Sequence, residues 1–190
     1  FKKAGVTKLS LIRDLDVKDA SGNATRRAAM PSPQTKTLYF AENGDMSFCP
    51  SGLEFRLHHE LFHQIEGTVC SNMKESRDDW AKLNVEKKFD YAAGGQLAYK
   101  PGFNNIQHPD MGFVSEYAMF GQEEDRSETF AYMMSSGFAD KFREWQSVDT
   151  VLKLKQDYIT EFLKTKMGAS EMTETYFSNR LSTPPSASKP

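Results

Sequence analysis

Three of the four histidines in this chain lie within residues 57–63, in the sequence LHHELFH. From His59 onward the stretch has the pattern H-E-x-x-H, in which Glu60 follows the first histidine and His63 is the second. Residues four apart on a helix share one face, so His59 and His63 can offer imidazole nitrogens to a single metal ion. Glu60 lies further round the helix, where its carboxylate can act as a general base toward water on the open side of that ion.

A candidate third ligand lies in a second predicted helix, within QEEDRSETFAYMM. Glu124 and Glu128 are four residues apart there and therefore share one face. A carboxylate from Glu124 would complete a zinc site of two histidines and one carboxylate, which leaves the fourth position for water. Glu128, one turn later, is placed to orient a histidine ligand. Tyr117 precedes this helix, and its hydroxyl could hydrogen-bond the developing oxyanion of a tetrahedral intermediate.

Simpler interpretations of these residues stay open at this point. The two histidines can be ordinary half-buried or surface residues, since H-E-x-x-H also occurs by chance. Acids near the start of a helix, such as Glu124 and its neighbours, can simply complement the helix dipole. When the acids are considered alone, complementation of the helix dipole is the favoured interpretation. When they are considered together with the histidine helix, a metal site is favoured. Asp125 is predicted to be a cap or surface acid, His58 a packing or surface residue, and His108 an ordinary loop residue.

Two strands and one long helix are predicted in the first part of the chain. Apolar and polar residues alternate in residues 6–19 and 35–43, which predicts strands. The intervening ASGNATRRAAMPSPQ, rich in turn-forming residues, is predicted to be a loop. GLEFRLHHELFHQIEG has an apolar stripe at four-residue spacing and predicts a helix that ends at Gly67.

Helices dominate the predictions for the rest of the chain. One covers residues 121–138 and one or two more cover 140–168, with an apolar stripe through Val151, Leu154, Tyr158 and Phe162. Strands that precede helices indicate an α+β fold: a small N-terminal twisted sheet, the histidine helix, and a mostly helical C-terminal half. Residues 1–181 are predicted to form a single domain, and the tail STPPSASKP (182–190) to be disordered.

Composition excludes some classes of function. The formal net charge is −2 and no dense basic block occurs, so nucleic-acid binding is not expected. No apolar run approaches the roughly 20 residues that a membrane-spanning helix needs. Cys49 and Cys70 flank the histidine helix, and both a strained disulfide and two unpaired thiols stay open.

HELFH followed by SEYAMFGQEEDRSETFAYM resembles the gluzincin metallopeptidases. The spacing is similar to that of the lethal factor and Pro-Pro endopeptidase families. The phrases DDWAKLN, FDYAAGG, GFVSEYA and EDRSETFAYM are similar to bacterial zinc-binding metallopeptidases. In that pattern a tyrosine precedes the ligand glutamate by seven residues and an acid follows it by four. The resemblance implies a zincin-like fold and three zinc ligands, His59, His63 and Glu124. It also implies Glu60 as base and proton shuttle, Tyr117 as transition-state stabiliser and Glu128 as partner of a ligand.

The expected function is zinc-dependent hydrolysis of peptide bonds, in which Glu60 activates a metal-bound water. A metal-dependent hydrolase of a non-protein amide and a non-catalytic protein that retains a zinc site are the alternatives. The resemblance implies a protein or peptide substrate and, by analogy, a secreted location; a monomer is expected. KTLYFAEN is a candidate edge strand for binding an extended substrate, with an ordinary interior strand as the equal alternative.

Overall fold

The computed structural model describes residues 4–18, 22–41, 50–69, 79–84, 91–92 and 103–168. Short strands come first and helices follow, so the predicted α+β fold is confirmed. The predicted tail 182–190 and both cysteines, Cys49 and Cys70, lie outside these residues. No helix among the described residues is long and apolar enough to cross a membrane.

In the described part of the chain, five strands form two small sheets. β1 (Lys8–Ile12), β4 (Ala29–Ser32) and β5 (Thr37–Ala41) make one sheet, and β2 (Asp16–Lys18) and β3 (Ala24–Arg26) form a separate antiparallel pair. β5 lies in the centre of its sheet, parallel to β1 and antiparallel to β4. The prediction of KTLYFAEN as an edge strand is therefore wrong, and its alternative, an interior strand, holds.

The strand predictions need two further corrections. The predicted strand over 6–19 bends at residues 13–15 and divides into β1 and β2, while the predicted loop contains β3 and β4. β4 has the sequence AMPS, and the missing N–H of Pro31 makes it a poor strand by propensity. Pairing with β5 overrides that propensity, because Met30 and Pro31 lie opposite Tyr39 and Leu38.

The histidine helix, α1 (Pro50–Val69), packs on the sheet and against the second long helix, α2 (Gln122–Met134). Ile65 is buried, and Leu57 and Leu61 are partly buried against the core, as the predicted stripe requires.

α1 continues past its predicted end at Gly67 to Val69. In this last turn the Thr68 hydroxyl lies 2.7 Å from the Gln64 carbonyl oxygen of the same helix, and a tertiary contact places it 3.1 Å from the Ala4 carbonyl oxygen. This contact ties the last turn to the segment before β1.

Up to residue 168, where the described part of the chain ends, two more helices follow α2, namely α3 (Ala139–Gln146) and α4 (Thr150–Met167). Asp149 caps α4 by accepting hydrogen bonds from the backbone of Val151 and Leu152. Gly168 ends α4 in the left-handed conformation, with φ of 55°.

The predicted stripe of α4 is correct except at Leu154. Val151 is buried, and Tyr158 and Phe162 are partly buried against the core, but Leu154 is 42% exposed. The fully buried residues of the helix are Val151, Leu152, Lys155, Ile159 and Leu163. The buried face therefore extends to one side of the predicted stripe, and it includes a lysine.

Candidate metal centre

His59 and His63 project from the same face of α1, as their four-residue spacing requires. Their Nε2 atoms are 3.1 Å apart, and their ring centroids are separated by 4.8 Å. His59 is buried and His63 is half-buried. The helix therefore presents two imidazole nitrogens side by side where it contacts α2.

Glu124, in the first turn of α2, brings a third candidate ligand atom to this point. Its Oε2 lies 3.3 Å from His59 Nε2 and 3.3 Å from His63 Nε2, so the three atoms form a nearly equilateral triangle. A tetrahedral zinc ion with ligands at about 2.0–2.1 Å requires neighbouring ligand atoms about 3.3 Å apart. His59, His63 and Glu124 can therefore hold a metal ion with two nitrogens and one oxygen.

Glu128 contacts the other nitrogen of the His59 ring. Its Oε1 lies 2.9 Å from His59 Nδ1, so an N–H at Nδ1 can donate to the carboxylate, and in the neutral ring Nε2 then keeps its lone pair for a metal ion. The Ser115 hydroxyl donates to the second oxygen of Glu128 at 2.7 Å, and accepts from the Ala118 backbone at 3.1 Å. Glu128 therefore lies where the sequence prediction places it, and Ser115 is an additional residue that holds it.

A cavity of about 220 Å³ adjoins His59. It is lined by Ala28, Ala29, Phe55, Arg56, His59, Glu60, Tyr117 and Glu128. Tyr117 opens a short 3₁₀ turn, Tyr117–Phe120, and its ring centroid is 5.8 Å from that of His59. The Tyr117 backbone N–H donates to Asn105 Oδ1 at 2.9 Å. The structure thus brings Glu60 and Tyr117 to the same cavity as one of the candidate ligands.

The electrostatics of the cluster favour a proton on His59 and a charge on Glu124. Burial lowers the pKa of His59, but hydrogen bonds with Glu124 and Glu128 outweigh it and raise that pKa well above 6.5. Burial raises the pKa of Glu124, but hydrogen bonds with His59 and His63 outweigh this effect and hold the pKa far below 4.5.

Glu60 differs from Glu124 in its electrostatics. Burial raises its pKa, an effect that the charges of His59 and His63 partly oppose. A carboxylate with a raised pKa is a stronger base near neutral pH, which suits transfer of a proton from water.

Zinc binding to the metal-depleted protein should depend on pH, because zinc and a proton compete for His59. Below its raised pKa, His59 is protonated and must release that proton, so apparent affinity should fall roughly tenfold for each pH unit of acidification. Calorimetry in buffers of different ionisation enthalpy would count the protons released. An affinity that stays constant between about pH 6 and pH 8 would contradict the role of His59 as a ligand.

Replacement of Glu128 by glutamine should lower zinc affinity about 10- to 100-fold, because the amide keeps the shape but loses the charge that orients His59. Competition with a chelator measures this effect. Glu123→Gln is the matched control, since Glu123 lies in the first turn of α2 but outside the ligand group. Equal affinities for the two variants would show that the contact between Glu128 and His59 contributes nothing.

A buried ion pair, which was not predicted from the sequence, connects α1 to α2 beside the cluster. Arg126 Nε donates to Glu66 Oε1, and the two side chains are 1% and 2% exposed. Burial raises the pKa of Glu66, and the charge of Arg126 opposes this effect. The sequence could have indicated this ion pair, because its two residues lie next to the candidate ligands. Glu66 follows His63 by one helical turn, and Arg126 follows Glu124 by two residues.

Asp125 is buried, so its prediction as a cap or surface acid is wrong. Its Oδ2 accepts hydrogen bonds from Trp80 Nε1 at 2.8 Å, Tyr91 Oη at 2.6 Å and Lys155 Nζ at 2.6 Å. These contacts anchor the first turn of α2, the turn that carries Glu124.

The remaining histidines lie outside the candidate ligand group. His58 is half-buried, and its ring packs edge-on against Phe130 at 5.9 Å, as its prediction as a packing residue requires. His108 stacks on Trp145 at 4.9 Å, and its Nε2 lies 3.1 Å from Asp149 Oδ2. His108 is therefore an ordered residue of the loop before the 3₁₀ turn.

No protein-family model, no curated protein and no solved structure matches this chain. The resemblance to gluzincins therefore rests on the quoted residues, and the chemistry of the site is argued from its geometry.

Proposed function

We propose that the chain is a zinc-dependent endopeptidase of the gluzincin type, with a zincin-like fold. The observation that supports this proposal most is the triangle of ligand atoms from His59, His63 and Glu124, with Glu60 in the adjoining cavity. Catalytic zinc sites use three protein ligands and keep a fourth position for water, whereas structural sites are usually closed by four. Three ligands beside a cavity thus favour catalysis.

The residues of the cavity have distinct parts in this mechanism. A zinc ion, when bound, polarises the scissile carbonyl and makes water more acidic. Glu60 accepts the proton of the attacking water and then gives it to the leaving amine. The Tyr117 hydroxyl donates a hydrogen bond to the carbonyl oxygen as negative charge develops there. Glu128 holds the His59 ring in the orientation that directs Nε2 to the ion.

The edge of β4 is the proposed binding place for an extended peptide. Among the described strands only β5 pairs with β4, and Ala29 lines the cavity. Ala41 donates to the Ala28 carbonyl at 2.8 Å, and hydrogen-bonded pairs alternate with non-bonded pairs along an antiparallel ladder. The backbone N–H and C=O of Ala29 therefore point away from β5, toward a substrate strand. Pro31, the next residue with this orientation, offers only its carbonyl.

The test is metal analysis followed by digestion of a proteome-derived peptide library, with and without chelator. Metal analysis comes first because a set of two histidines and one carboxylate also binds iron(II). We expect equimolar zinc, internal peptide cleavage that the chelator abolishes, and recovery of cleavage on adding zinc. Tightly bound zinc without any hydrolysis would instead support a non-catalytic binding protein.

Two other outcomes separate the remaining alternatives. Hydrolysis of a non-protein amide but of no peptide, identified by mass spectrometry of the products, would replace the endopeptidase proposal. The monomeric state and the secreted location stay predictions, which gel filtration and fractionation of the source cells would test.

A further inference from the structure

Arg56 is the charged residue of the cavity that the proposed mechanism does not use. It lies one helical turn before Glu60 on α1, so the two side chains share a face of the helix, and both line the cavity. The acidic residues of the lining, Glu60 and Glu128, already have parts in the chemistry. A guanidinium at this place can bind a carboxylate with two parallel hydrogen bonds.

The walls around Arg56 leave room for a substrate side chain. Ala28 and Ala29 form one wall with small side chains, and Phe55 adds an apolar surface. An extended peptide on the edge of β4 would direct alternate side chains to the same side as these residues. The side chain that enters the cavity would then meet the guanidinium of Arg56.

We infer that Arg56 is a specificity-determining residue, which binds a carboxylate of the peptide substrate next to the scissile bond. The inference rests on the proposed endopeptidase function. Such a carboxylate has two sources, the side chain of an aspartate or glutamate and the free C-terminus of a peptide. Both would make the same contact with the guanidinium.

The experiment compares the zinc-loaded wild type with Arg56→Gln and Arg56→Glu on paired peptides. Each pair differs by glutamate or glutamine at one position near the cleavage site, and each peptide is made with a free and with an amidated C-terminus. The measured quantities are two ratios of kcat/KM: that of the glutamate to the glutamine peptide, and that of the free to the amidated form of one peptide. Because each ratio is taken within one protein sample, incomplete folding of a variant cancels.

We expect the wild type to prefer the carboxylate about 10- to 100-fold, as for a charged hydrogen bond. Arg56→Gln should bring the ratio close to one, and Arg56→Glu should reverse it. Arg13→Gln should behave as the wild type, since the Arg13 side chain is 93% exposed and does not line the cavity. A preference for glutamate over glutamine identifies a side-chain carboxylate, and a preference for the free over the amidated form of the same peptide identifies the C-terminus.

Two results would overturn the inference in different ways. A wild type without preference, or a preference of equal size in Arg56→Gln, rejects the role of Arg56 and leaves the endopeptidase proposal intact. Failure of the zinc-loaded wild type to cleave any peptide rejects the endopeptidase proposal, and the role of Arg56 with it.

Discussion

Replacing Glu60 by glutamine should leave zinc binding stoichiometric and reduce peptide hydrolysis by about 10²- to 10⁴-fold, the range for loss of a general base. Glu60 is outside the ligand group but lines the cavity next to His59. Glutamine matches its shape yet cannot accept the proton of water at neutral pH. The measurements are metal content and kcat for the best peptide of the library digest.

Comparison with two other variants separates this effect from weak metal binding. Glu128→Gln should recover most of its activity at saturating zinc, because its defect is in affinity, whereas Glu60→Gln should not recover. Glu161→Gln, a change at an exposed acid of α4, should have the activity of the wild type. Turnover by Glu60→Gln within tenfold of the wild type would remove Glu60 from the mechanism.

Part of the geometry of the candidate metal site follows from the sequence because the spacings within each helix are local. The positions of His59 and His63 on one face follow from helix geometry alone, and so does the pairing of Glu124 with Glu128. The contact between the two helices is not local. It was inferred from the donor set that zinc prefers, and the structure places Glu124 3.3 Å from both histidine nitrogens.

Several wrong predictions have long-range pairing as their common cause. β4 looks like a loop until β5 is placed beside it, and β5 looks like a candidate edge strand until β4 is present. In α4 the apolar pattern selects Leu154 for the buried face and leaves out Lys155, because a charged side chain is expected at the surface. Asp125 is predicted to be a surface acid because it too is charged. One ion pair, between Lys155 and Asp125, accounts for both of these errors.

Replacing Lys155 by methionine should lower the free energy of unfolding by about 3–5 kcal/mol, because it leaves the Asp125 carboxylate buried without its countercharge. Both side chains are 0% exposed. Burial lowers the pKa of Lys155, but Asp125 opposes this effect, and the lysine also donates to the Gly112 carbonyl. Urea denaturation followed by circular dichroism measures the loss, and the melting temperature should fall by about 6–20 °C.

The matched control is Lys153→Met, which changes a lysine two residues before Lys155 on α4. Its ammonium is exposed and contacts Asp157 at 2.6 Å, so its loss should change the unfolding free energy by less than about 1 kcal/mol. The double variant Lys155→Met, Asp125→Asn should be more stable than the sum of the two single losses predicts, because neither charge is then buried alone. Equal stability of Lys155→Met and Lys153→Met would contradict the buried pair.

The same pair connects stability to the site, since Asp125 directly follows Glu124. If the ion pair between Lys155 and Asp125 holds the first turn of α2 in place, Lys155→Met should also weaken zinc binding at temperatures where the variant is still fully folded. Lys153→Met should leave zinc binding unchanged. If Lys155→Met is folded and less stable but has an unchanged zinc affinity, the ion pair contributes to stability and does not affect zinc binding. Positioning of Glu124 would then come from the contact between Arg126 and Glu66, which fastens the same turn to α1.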